Sequence, residues 1–284
     1  MFKQHIEKIP SRKEDSHKGS YGKVLVLAGS RGMTGASYLT AQGALLSGSG
    51  LVTCGVPLSL NVIMETKLTE VMTLPLSETP TASLALAAKD EILKYCEKCD
   101  VVAIGPGLGK EEDTIKLVKE LVLEIDKPVV LDADGINAIK GDVLTERKGR
   151  TVITPHLGEM ANLIGKDVPA VRSNREYIVK SVAESTGAIV CLKGHKTLVA
   201  DPEGNVYENQ TGNSGMATGG TGDVLTGMIT SFIGQGVSDY SAVISAVYLH
   251  GLAGDIALDK KGPFSLIASD ILENLPATFN KAGI

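Results

Sequence analysis

The feature that most restricts the fold of this chain is an alternation of short, β-branched apolar runs with longer amphipathic stretches. The runs are KVLVLAG (23–29), LVTCGV (51–56), VVAIG (101–105), VVLDA (129–133), TVITP (151–155) and AIVCLKG (188–194). Continuous apolar runs of this length suit strands buried on both faces, the situation of a parallel sheet. Helical patterns fill residues 34–48, 84–97, 112–125 and 172–186 between them. The alternation predicts an α/β fold of three αβα layers, with a mostly parallel central sheet covered by helices on both sides. After Lys193 the pattern shortens, and TLVAD and NVYEN, joined by PEG, read as a short antiparallel edge or flap. Three further helical stretches, about 223–235, 239–259 and 268–281, finish the chain. The Ala, Gly and Ser content of 34–48 marks a helix that packs closely on its neighbour.

No linker, repeat or low-complexity block interrupts the 284 residues, 43% of which are hydrophobic, so a single domain over 1–284 is expected. A domain of that size buries roughly 75% of its unfolded surface and needs no staples. The four cysteines are scattered, and the polar opening stretch has neither the apolar core of a signal peptide nor a long apolar span. Those features imply a reducing compartment, the cytoplasm, and no membrane. A net charge of -5, no Trp and 4% aromatics disfavour a nucleic-acid surface.

Chemistry concentrates in glycine-rich or charged segments at the ends of the predicted strands. In ATGGTGDVLTGMITSFIG (217–234) a glycine run leads into an amphipathic helix. Gly219, Gly220 and Gly222 let backbone N–H groups face a ligand, and a helix N-terminus with free N–H groups binds anions. Asp223 at that turn is either the helix cap or a general base beside a bound phosphate. GPGLG (105–109) and LAGSRGMTGA (27–36) follow strands where open α/β sheets place ligands, or are simply tight strand-to-helix turns. The second has GxxGxxG spacing and no ribose-binding acid, which argues against a dinucleotide fingerprint.

In TPHLGEM (154–160), His156 and Glu159 stand near a helix start, where an acid also suits the helix dipole. Asp132 and Asp134 of LDADGIN either hold Mg²⁺ through water or cap the next helix. KGHKT (193–197) bunches two lysines and a histidine, suiting nucleotide phosphates or a solvated turn. Cys96 and Cys99 form a lone CxxC that reads as helix packing. His250, in an apolar helical pattern, reads as a core or interface histidine.

Taken in order, KGSYGKVLVLAGSRGMTGA, GPGLG, LDADGIN, TPHLGEM, KGHKT and ATGGTGDVLTGMI resemble the ADP/ATP-dependent NAD(P)H-hydrate dehydratases of the ribokinase-like superfamily. GTGD alone would point only to the superfamily, whose kinases carry related turns. TPHLGEM and MATGGTGDVLTGM narrow it, with Leu157 replacing the proline usual in that family's TPHPGE. The resemblance implies repair of the S epimer of hydrated NADH or NADPH at the expense of ADP, giving AMP and phosphate, or of ATP. It implies Asp223 as the base, and Ala36, Gly107, His156 and Asp223 around the hydrate. It places Lys193, Gly194, His195, Lys196, Thr197, Gly219, Gly220 and Gly222 on the adenine nucleotide, and Glu159 on Mg²⁺ through water. A separate epimerase and a homotetramer are further expectations from the family. The alternatives are a kinase of a small sugar or vitamin-precursor alcohol and a non-enzymatic nucleotide sensor.

Overall fold

A computed structural model of the chain describes residues 3–139 and 141–284; of the expected domain span, Met1, Phe2 and Lys140 lie outside the described residues. These residues form one nine-stranded sheet: β1 (Lys23–Leu27), β2 (Leu51–Pro57), β3 (Met72–Leu76), β4 (Val101–Ile104), β5 (Val129–Leu131), β6 (Thr151–Ile153), β7 (Ile189–Leu192), β8 (Leu198–Ala200) and β9 (Val206–Glu208). Their order is β3-β2-β1-β4-β5-β6-β7-β8-β9. Every pair from β3 to β7 is parallel, and β7–β8 and β8–β9 are antiparallel, as the short runs after Lys193 predict.

The periodicity missed β3, because MTLPL carries Pro75, which cannot donate to a ladder. An edge position resolves the conflict, since β3 pairs only with β2. The longer helices are α1 (Thr34–Leu46), α2 (Lys89–Cys96), α3 (Glu112–Glu124), α4 (Leu157–Ile164), α5 (Arg175–Thr186), α6 (Thr221–Gly234), α7 (Asp239–Ser265) and α8 (Ala268–Ala282). The helix expected over 172–186 breaks at Asn174, and the one expected over 84–97 opens with a 3₁₀ turn at Leu86–Ala88.

Side-chain alternation along the strands divides the interior into two cores. Val24 and Val26 of β1 face the core built with α1, α6, α7 and α8, while Leu25 and Leu27 face the one built with α2, α3, α4 and α5. Helix α7 is long and apolar enough to cross a membrane, but it lies largely buried in the first core. Glycine 262, at φ 68° and ψ 170°, breaks its last turn.

The chain runs outward from β1 in both directions, which makes β1–β4 the switch point at whose carboxyl edge ligands of open α/β sheets bind. Helix α6 crosses beneath that edge on α1, and the two backbones touch. A Cβ on Gly43 would lie 2.6 Å from the Val224 carbonyl oxygen, and one on Gly227 would overlap the Thr40 carbonyl. We expect Gly227→Ala to destabilise the protein by about 1–3 kcal/mol, the usual scale for overpacking, read as a lower urea midpoint with an unchanged m-value.

Candidate active site

At the carboxyl edge of the sheet the loops after β4, β5, β6 and β7 converge on the N-terminus of α6. The β4 loop can approach the β5 loop because residue 105 is glycine: a Cβ there would collide with the Asp132 carbonyl. Next to it, Ala133 is held at φ 49°, a strained backbone for a residue with a side chain. The kink separates two carboxylates. Asp134 turns back to accept from the Gly109 N–H at 3.0 Å, tying GPGLG in place, whereas Asp132, 1% exposed, points into a buried network. There it accepts from Thr154 Oγ1 and Thr226 Oγ1, each at 2.8 Å, and from Lys193 Nζ at 2.5 Å. Asp132 therefore caps no helix; its carboxylate is engaged by these three donors.

Helix α6 begins at Gly220, whose φ of 93° turns the glycine run into the helix. The first-turn N–H groups have no acceptor within the helix. His250 Nε2 lies 2.9 Å from the Thr221 carbonyl oxygen. An N–H on that atom must donate, and burial pushes the imidazole pKa down to about 4, so the ring is neutral and steadies this turn. Asp223 does not act as a side-chain N-cap: Gly220 occupies that position without a side-chain hydrogen bond. Among the described residues no hydrogen bond or ion pair to the Asp223 carboxylate is present. Burial, and then the nearby Asp132, raise its pKa to about 6 against the opposing pull of Lys193, with Glu159 and Asp134 adding to the rise.

His156 caps α4 through its side chain. Its Nδ1 accepts from the N–H groups of Gly158 (2.9 Å) and Glu159 (3.2 Å), so the proton sits on Nε2 and faces Glu159 Oε1 at 3.2 Å. Glu159 Oε2 in return accepts from the His156 N–H at 2.8 Å, closing a capping box. The histidine ring remains exposed while Glu159 is buried. Lys193, which lines the cleft, is paired with Asp132 and lies 3.9 Å from Glu159. Burial opposes its charge, but Asp132 and Glu159 outweigh that and raise its pKa. Lys196 lies exposed with φ 55° and pairs with Glu208 at 3.2 Å.

The loop carrying Lys193, Gly194, His195, Lys196 and Thr197 is pinned by Arg175, which donates to the His195 and Lys196 carbonyls at 2.9 and 2.7 Å. No local pattern marks Arg175, because its partners are backbone atoms 20 and 21 residues away. His250 was visible only as a polar residue in an apolar stripe.

A cleft of about 820 Å³ gathers His156, Glu159, the 193–197 loop, Gly219, Gly220, Gly222 and Asp223. Ala36 and Gly107 are not among its lining residues, but they adjoin each other: a Cβ on Gly107 would lie 3.0 Å from that of Ala36. The strand-edge cleft at a helix N-terminus, with an unpartnered carboxylate inside it, has the geometry of a ligand site in the open α/β class.

Known proteins agree with that class. The NAD(P)H-hydrate dehydratase family matches residues 24–277, and the chain belongs to that family. It is 46% identical over 270 residues to the bifunctional NAD(P)H-hydrate repair enzyme of Moorella thermoacetica, covering 94% of this chain and 51% of that protein. This chain thus spans about half the length of the bifunctional relatives it matches. It is 37% identical to the ADP-dependent (S)-NAD(P)H-hydrate dehydratase of Neisseria meningitidis, covering 92% of this chain and 86% of that one. The crystal structure of the Bacillus subtilis ADP/ATP-dependent NAD(P)H-hydrate dehydratase with ATP and Mg²⁺ superposes with a TM-score of 0.85 at 31% identity, covering 99% of this chain and 97% of that one. The fold is ribokinase-like.

The raised carboxyl of Asp223 has a consequence for stability. Its folded-state pKa of about 6 exceeds the ordinary aspartate value, so its contribution is present at acid pH and lost as pH rises through about 6. Asp223→Asn is expected to melt higher than the unmodified protein at pH 7.5, by an amount of the order of 2 kcal/mol. That difference should shrink as pH falls from 6 towards 4, as thermal melts across the range will show.

Proposed function

We propose that this protein is an ADP-dependent (S)-NAD(P)H-hydrate dehydratase, a carbon–oxygen lyase that returns hydrated NADH or NADPH to the reduced dinucleotide. The observation that carries the reading is the unpartnered Asp223 carboxylate at the N-terminal turn of α6, inside the cleft. A carboxylate whose pKa is about 6 is largely ionised at neutral pH yet basic enough to accept a proton from a hydroxyl. Asp223 takes the proton of the hydrate's hydroxyl as its oxygen attacks the terminal phosphoryl group of ADP, and AMP leaves. The N–H groups of Gly219 to Gly222 are placed to stabilise charge on the transferring group. The phosphorylated ring then loses phosphate, driven by its nitrogen lone pair, and loss of a ring proton restores the double bond. With ATP the same transfer leaves ADP.

The site assignments are those that the family resemblance implies, and the cleft lining supports them for all but Ala36 and Gly107. The loop from Lys193 to Thr197, with Gly222, borders the adenine nucleotide; Ala36, Gly107, His156 and Asp223 border the hydrate. Among the described residues no group of three or more acidic, histidine or cysteine ligands is assembled for a metal ion. Mg²⁺ fits instead as an ion that arrives on the nucleotide phosphates and keeps several waters. Each Glu159 oxygen takes one donor from His156, leaving lone pairs for such a water. The ion would neutralise charge on the phosphates.

The continuous sheet supports one domain over 1–284. We place the enzyme in the cytoplasm, where its four buried thiols stay reduced, in functional partnership with an epimerase activity. A homotetramer is the proposed assembly: Leu58, Val62, Ile63 and Met72 expose apolar surface at the β3 side of the sheet. Analytical ultracentrifugation should return four protomers, and a monodisperse monomer at micromolar concentration overturns this assembly.

With Mg²⁺, ADP and (S)-hydrated NADH, absorbance at about 340 nm should recover as the dihydronicotinamide reforms, and phosphorus NMR should show AMP and free phosphate in equal amounts. A stable phosphorylated product without NADH would mark a kinase instead. Asp223→Asn should retain nucleotide binding and lose at least about 10²-fold in turnover. Near-normal turnover would remove Asp223 from the chemistry. In the unmodified enzyme, kcat/KM should rise with pH along an acid limb centred near 6.

A further inference from the structure

We propose that Asp132 is a positioning residue for this reaction: by holding the Lys193 ammonium in a buried ion pair it keeps that cation off Asp223, whose carboxylate stays free to take a proton. The inference rests on the reading of Asp223 as the base. Lys193 Nζ lies 3.3 Å from where a Cβ on Gly222 would be, immediately beside Asp223 in the chain. Lys193 acts electrostatically on the Asp223 carboxylate, so the two groups attract, yet no ion pair joins them among the described residues. It pairs instead with Asp132 Oδ1 at 2.5 Å.

The reason is the donor set around Asp132. Thr154 Oγ1 and Thr226 Oγ1, both on fully buried residues, each donate to one of its oxygens at 2.8 Å. Hydrogen bonds to the ionised form favour it, so Asp132 competes for the lysine better than Asp223, which has no such donors among the described residues. The charged groups facing Asp223 are Asp132 and Asp134 from the end of β5, Glu159 from α4 and Lys193 from the end of β7. His250, from α7, is held neutral. A direct lysine partner would stabilise the ionised carboxylate and weaken it as a base.

The test is the pH dependence of the dehydratase reaction in Asp132→Asn, Lys193→Met and the double variant, with Asp223→Asn alongside. In Asp132→Asn the freed ammonium should turn to Asp223. The acid limb of kcat/KM should then move down by at least about one pH unit, the scale of a new opposite charge at contact. Turnover should fall at least about tenfold while the KM for ADP changes less than about threefold. Adding Lys193→Met should bring the limb back to, or above, its original position. An Asp132 that acts only through its own charge or only on stability would gain nothing from the second change, and a limb that stays low when Lys193→Met is added overturns the proposal.

If Asp132→Asn does not fold, Thr226→Val, which removes one donor that holds Asp132 ionised, takes its place: the limb should move down and return when Lys193→Met is added, and a limb that does not move overturns the proposal. Near-normal turnover in Asp223→Asn would instead remove the base assignment itself, whatever the Asp132 variants do.

Discussion

The close approach of α6 to α1 is the constraint on which the site depends. Glycines at 43 and 227 let the two helix backbones touch, and α6 also packs on β1, β4 and β5. That seating fixes where its first turn emerges: at the carboxyl edge of the sheet, opposite the loops after β5, β6 and β7. A larger residue at either glycine would push α6 away from α1, and with it the N–H groups of its first turn. The small-residue composition of α1 is therefore a condition for where that turn sits.

Charge in the cleft is organised by burial more than by the number of ionisable groups. Four carboxylates, of Asp132, Asp134, Glu159 and Asp223, share a small volume with one largely buried lysine. Three of them are engaged: Asp132 by threonines and lysine, Asp134 by the Gly109 N–H, Glu159 by His156. Only Asp223 is left without a hydrogen-bond or ion-pair partner among the described residues, and its raised pKa reflects burial beside these like charges. Leaving a carboxylate in that condition costs folding free energy, and such costs are typical of functional groups. The strained Ala133 contributes by sending the two carboxylates on either side of it to different partners.

Much of this was legible in the linear sequence. Apolar runs of β-branched residues identified six of the seven parallel strands, because strands buried on both faces need apolar side chains at every position. The glycine run before an amphipathic helix announced the turn into α6, and the motif order announced the family. β3 escaped because an edge strand tolerates proline and half-exposed polar residues, so it lacks the signature of its buried neighbours. The roles of Lys193 and Asp132 were equally hidden. A lysine in a basic cluster and an aspartate after a strand each suggest a ligand-facing group, and nothing local shows that they neutralise each other.

The layers of the fold and the position of the glycine- and charge-rich loops at strand ends were thus readable from the linear chain, since these depend on local periodicity and on residue types that few backbones can use. Which charges meet follows from the tertiary fold alone. Asp132 and Lys193 are 61 residues apart, and Asp132 and Thr226 are 94 apart. Their pairing exists because parallel strands deliver their carboxyl ends to one edge, where burial makes any unpaired charge expensive and so selects the partners.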